Sequence, residues 1–245
     1  MTTATNAPAS ANEPLLPLHR QSGFLSFLLS RLAAVFAMQI QAIVVAWQVY
    51  DITRDPMALA YVGLAQFLPM VLLLLPAGDV VDRFSRKRIL QFSWGVQGLC
   101  SALLLTLSLN ESHNVTGFYA VLALFGAARA FTGPALQSLL PNIVPRAQLA
   151  SAIALNSSIM KIAVIAGPLL GGILYGIGSG SLAYSVCLGC FTIALVLLLP
   201  VPIRYAEAAK TLESTAVKRF TAGIRYIRYQ PIILGPFPWT CLRFY

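Results

Sequence analysis

The stretch Gly78-Asp79-Val80-Val81-Asp82-Arg83-Phe84-Ser85-Arg86-Lys87-Arg88 decides how the chain is read. Four basic residues and two acids fall within these eleven positions, between apolar runs at 58–77 and 89–109. Each run is close to the ~20 residues that a helix needs to cross a hydrocarbon core. A charged stretch between two such runs reads as the turn of a helical hairpin whose arms lie in lipid. Gly78 offers a small residue for close helix approach. Asp82 stands where negative charge favours the start of a following helix, by about 0.3–1 kcal/mol. Arg83, Arg86 and Lys87 are candidate partners for Asp82 or for lipid phosphates. A plain basic stop signal accounts for the charges but not for the spaced glycine and aspartate.

Composition extends this reading to the whole chain. Of 245 residues, 58% are apolar and only 10% are charged, against roughly a quarter charged in a soluble domain. That excludes a disordered chain, a coiled coil and an ordinary cytosolic enzyme. Six apolar runs qualify as spans: 24–50, 58–77, 89–109, 118–140, 149–177 and 182–199. They lack the strict alternation of barrel strands. The fold expected is an all-α membrane bundle of six antiparallel helices over 22–200.

The net charge of +9 is topological. With the N-terminus inside, the inner segments hold Arg20, Arg31, Arg83, Arg86, Lys87, Arg88, Arg146, Arg204, Lys210, Lys218, Arg219, Arg225 and Arg228, and the outer loops hold only Arg54. This asymmetry puts the N-terminus and the C-terminal segment in the cytoplasm and removes nucleic acid as a partner. Residues 1–21 read as a short disordered tail without a cleavable signal. Residues 201–230 read as a basic linker. Within it, Phe220, Ile224 and Ile227 recur at helical spacing, as an amphipathic helix on the inner leaflet or as a solvated linker helix.

Within the spans a few residues ask for a reason. Arg129 lies in the fourth span, where an arginine costs about 2.5–3.5 kcal/mol. Arg129, Gly133 and Gln137 fall at i, i+4 and i+8, so one stripe carries all three toward a polar cavity or a partner. In the fifth span, Pro168 removes a backbone hydrogen bond and bends the helix. Gly167, Gly171 and Gly172 beside it permit close packing. Asn156 and Lys161 mark an end of that span that lines a wet cavity, although Lys161 also reads as a snorkelling residue. Gln41 and Gln48 share a face of the first span; they are cavity candidates or interhelical hydrogen-bonding residues. Gln39 points elsewhere.

Other features read plainly. Cys187 and Cys190 form a CxxC inside an apolar run, as packing residues. No acid lies deep in a span. No nucleophile–base pair, phosphate loop or metal set is visible, so neither an enzyme nor a cofactor or metal is expected.

These motifs carry a family resemblance. Gly78, Asp82, Arg83, Arg86 and Lys87 resemble the G-x-x-x-D-R-x-G-R-[RK] signature of the major facilitator superfamily, with Ser85 where that family prefers glycine. Gly167-Pro168-Leu169-Leu170-Gly171-Gly172 is similar to the antiporter motif of its drug exporters. The stretches 47–53, 63–69 and 133–141 resemble its enterobactin exporter-like and multidrug efflux subgroup. The resemblance implies the N-terminal six-helix half of a proton-coupled exporter of a siderophore or drug, in a bacterial inner membrane, built from two inverted three-helix repeats. It implies that Gly78 to Lys87 form a conformational latch, and that Arg129 and the 167–172 segment serve coupling and gating. Its partners would be a small-molecule substrate, protons and membrane lipids.

The end of the chain departs from that pattern. A seventh span starts at 231–235 and then meets Pro236, Pro238 and Arg243. Restoring one base near codon 235 lets the tail read as an apolar helix start with one aspartate. Residues 231–245 are therefore expected to be a frameshifted, aborted seventh helix, and the chain to be inactive alone. The alternatives are a genuine half-transporter that forms a homodimer, and a non-transporting membrane partner.

Overall fold

The computed structural model describes residues 23–110 and 115–201. The expected N-terminal tail, the amphipathic segment and the aborted seventh helix lie outside the described residues. Helices α1 (Phe24–Thr53), α2 (Pro56–Arg83), α3 (Arg86–Leu109) and α4 (Val115–Leu139) are followed by two short 3-10 turns and the run Leu149–Leu198. Each of these five helices is long and apolar enough to span a membrane.

The last run is two spans. Fifty residues would make a straight helix of about 75 Å, far beyond a bilayer core of about 30 Å. Gly178 and Ser179 leave helical geometry, Ser179 at φ 62°, a region that side chains other than glycine seldom take. The contacts with α1 prove a reversal there. Arg31 meets Asn156, Gln39 meets Val164 and Asp51 meets Tyr175, so the first arm runs parallel to α1. Gln48 then lies against Gly180 and Ala37 against Cys187, so the second arm runs back. The arms are α5 (149–177) and α6 (180–198), which makes the six helices expected.

Local chemistry sets the turns. Arg54 closes α1 in the left-handed region at φ 53°, and its N–H bonds the Tyr50 carbonyl. Asp55 then caps α2, accepting from the Met57 N–H at 2.9 Å, with Pro56 in the first turn. Aspartate followed by proline is a strong helix start because each satisfies or removes an orphan donor. At the opposite end, the expected loop over 78–88 is far shorter. Gly78 to Arg83 belong to the last turns of α2 and Arg86 to the first turn of α3, leaving only Phe84 and Ser85 outside the helices. Helices continue past their apolar windows where polar residues pair along one face, as Asp79 and Arg83 do at 3.0 Å. Arg31, counted above with the inner segments, lies inside α1.

The packing obeys an internal exchange. α1 packs on α5 and α6, α4 packs on α2 and α3, and α3 packs on α6. Swapping α1 with α4, α2 with α5 and α3 with α6 maps this set of neighbours onto itself, as inverted repeats require. The interior is filled by Trp94, Tyr184, Phe24, Phe27, Phe118 and Phe191, all fully buried. A polar ladder crosses it. Ser93 Oγ donates to the Ala128 carbonyl at 2.7 Å and lies 2.7 Å from Thr132 Oγ1, and Gln97 Nε2 donates to both hydroxyl oxygens. Only Ala58, Val62, Ala77 and Val81 of α2 are buried, so one helix keeps most of its surface open.

Candidate functional site

Arg129, Gly133 and Gln137 lie on the open face of α4, all three exposed. The neighbours of Arg129 at 128 and 130 are buried, so the helical period alone separates the arginine from the core. Arg129 has no hydrogen bond or ion pair among the described residues. A methyl group at Gly133 would meet nothing within 4 Å. The stripe is thus a polar strip on an open surface of this bundle.

The glycines of α5 divide into two kinds. A Cβ on Gly167 would lie 2.5 Å from Cβ of Gln39, and one on Gly171 would lie 3.1 Å from the Ile40 carbonyl oxygen. Both are therefore contact glycines that let α5 lie against α1. Gly172 has nothing within 4 Å and belongs to the open side. Pro168 has no N–H, so the carbonyl of Val164 loses its helical donor. Gln39 Nε2 reaches that oxygen across the interface at 3.4 Å. Gln39 is the residue that sequence reading missed. The signal is available only once α1 is known to lie beside position 164, four residues before the proline.

At the basic end, the signature residues take separate partners. Arg83 pairs with Asp79 at 3.0 Å while its side chain stays largely exposed. Arg86 Nη1 donates to the Ser138 carbonyl at the end of α4, at 3.1 Å. Lys87 Nζ donates to the carbonyls of Leu199 and Val201, at 2.7 and 2.8 Å. The turn between α2 and α3 thereby ties down the ends of α4 and α6, where helix carbonyls lack donors. Asp82 sits in the last turn of α2. Gly78 makes no close approach within the described bundle, since a Cβ there would meet nothing within 4 Å.

The remaining candidates point inward or apart. Gln41 is 2% exposed and accepts from Ser101 Oγ at 2.6 Å. It is an interhelical bonding residue rather than part of an open face. Gln48 turns its Oε1 into the packing beside Gly180 and Ser108. Asn156 is buried and accepts from Arg31 Nη1 at 2.9 Å, so it too lies in the packing of α1 on α5. Lys161 is exposed on α5. Among the described residues no group of histidine, cysteine and acidic side chains could hold a metal.

Comparison with known proteins gives one consistent result. The chain is similar to the Staphyloferrin A transporter of Staphylococcus aureus, 25% identical over 66% of this chain and 41% of that protein. It is 24% identical to the multidrug efflux pump Tap of Mycolicibacterium fortuitum, over 87% of this chain and 54% of the pump. It is 25% identical to the enterobactin exporter EntS of Shigella dysenteriae, over 91% of this chain and 53% of the exporter. The chain spans about half the length of these curated relatives. Residues 12–234 match the family described as transmembrane secretion effector. With its six-helix bundle, this multi-pass membrane chain belongs to that family of major facilitator transporters.

Proposed function

We propose that this chain forms one six-helix half of a proton-coupled exporter of a small molecule, a siderophore or a drug. The observation that carries the reading is the stripe of Arg129, Gly133 and Gln137 on the open face of α4. An arginine held in a span without an acidic partner is stable there only beside water or a polar partner. On this reading a second six-helix bundle covers that face, and the substrate path runs between the two. The relatives' names, a siderophore exporter and a drug efflux pump, support the direction and the substrate class.

The parts then divide the work. Gly167, Gly171 and Pro168 give α5 a bent, closely seated course along α1, and Gly172 stays on the side left for the second bundle. Gly78 to Lys87 form the latch, with Arg86 and Lys87 holding the ends of α4 and α6. Arg129 couples the proton to the substrate. Lys161, exposed on α5, is a second cavity residue. The bundle lies in the inner membrane with its basic end in the cytoplasm.

The test uses everted membrane vesicles carrying this bundle joined to a second six-helix half, with a labelled siderophore and a labelled macrolide. Accumulation of one of them under an imposed pH gradient, abolished by a protonophore, is the expected result. Arg129→Ala should reduce it roughly tenfold. Accumulation that ignores the gradient and the Arg129→Ala change would overturn the reading.

A further inference from the structure

We propose that the groove between α2 and α3 at the basic end binds an anionic phospholipid, its phosphate on Arg83 and Arg88 and an acyl chain along Phe84, Phe92 and Phe131. This inference does not depend on what the transporter carries. The groove encloses about 540 Å³, room for a glycerophosphate head and the upper part of one chain.

The order of side chains along the groove matches that ligand. Arg88 lies in the first turn of α3 and Phe92 one turn deeper, about 6 Å along the axis. Arg83, Phe84 and Arg88 therefore stand at the mouth, and Phe92 lies below them. Phe84 and Phe92 are 66% and 75% exposed, a large aromatic surface to leave beside a charged rim. Val80, Ile89 and Phe131 complete an apolar wall in which Ser85 is the one uncharged polar residue. An extended peptide laid there would find only Ser85 and the two arginines at the mouth as partners for its backbone groups. An acyl chain needs none.

The charge count favours one phosphodiester. Arg86 and Lys87 are turned inward onto backbone carbonyls. Arg83 shares its charge with Asp79. Arg88 has no hydrogen bond or ion pair among the described residues. Arg83 and Arg88 against Asp79 leave one positive charge at the mouth, which a single lipid phosphate neutralises. Asp82, one position before Arg83, is already engaged within the chain.

Native mass spectrometry of the full chain, released from nanodiscs of equimolar phosphatidylglycerol and phosphatidylcholine, tests this. Phosphatidylcholine has the same phosphate, balanced by choline, so the comparison isolates net charge. The expected result is preferential retention of phosphatidylglycerol, reduced about fivefold by Arg88→Gln and further by adding Arg83→Gln. Phe92→Ser should weaken retention while leaving the arginines in place. Arg54→Gln, at the opposite end, should change nothing, and excess inorganic phosphate should not displace the lipid. Equal retention of both lipids, a preference that survives the double substitution, or displacement by inorganic phosphate would each overturn the proposal.

Discussion

Gln39 in α1 and Val164 in α5 are joined by a long hydrogen bond, 3.4 Å from the amide nitrogen to the carbonyl oxygen. That oxygen is the one Pro168 leaves without a helical donor. The bond is possible because Gly167 has no side chain where Gln39 passes. A kink, a glycine and an amide on a neighbouring helix thus form one device that seats α5 on α1 while satisfying the backbone in lipid.

The glycines of this device should separate by substitution. Gly167→Leu forces Gln39 and α1 aside, and overpacking of this kind costs about 1–3 kcal/mol. Gly172→Ala, four residues beyond Pro168 and facing open space, should leave stability unchanged. Thermal unfolding in detergent, followed by circular dichroism, distinguishes them. Equal midpoints for the two variants would contradict the assigned contacts.

The ladder between α3 and α4 should matter more than an exposed polar residue of the same helix. Thr132→Val removes the hydroxyl that bonds Ser93 and Gln97 and leaves both with one partner fewer. Interhelical hydrogen bonds in membranes are worth about 0.6–2 kcal/mol. Gln137→Ala, on the open face of α4, should cost nothing measurable in the isolated chain. The same unfolding measurement tests both.

The basic end should show a similar split between two neighbouring cations. Lys87 holds two carbonyls at the close of α6, and hydrogen bonds to a charged group contribute about 1.5–3 kcal/mol. Arg83, its own side chain 64% exposed, makes an i,i+4 pair with Asp79, which is worth at most about 0.5 kcal/mol. Hydrogen exchange across 196–201 should speed up in Lys87→Met and not in Arg83→Gln. Matching profiles would show that the carbonyl clasp does not hold the helix end.

Much of this was legible in the residues, and what was not has a physical cause. Apolar length locates six spans, and even the break near Gly178 falls in the gap between the expected fifth and sixth. Helical period places Arg129, Gly133 and Gln137 on one stripe. Period cannot say which face of a helix meets a neighbour, because that depends on the other helices. Gln41 and Arg129 look alike as polar residues in apolar runs, yet one is buried against Ser101 and the other lies open. The same limit hid Gln39 and made Gly78 look like a contact glycine. Span ends were misjudged at α2 because hydropathy falls before helical geometry does.

The most direct measurement is water access along the α4 stripe. Cysteine is placed at Arg129, Gln137 or Gln41 in a background without the native cysteines. This bundle, joined to a second six-helix half, is then reconstituted in proteoliposomes and exposed to a membrane-impermeant maleimide. Labelling at 129 and 137, slowed by the transported substrate, with position 41 protected, is the predicted result. Protection of 129 and 137 as complete as that of 41 would mean that the stripe faces no aqueous path, and would contradict the proposed route.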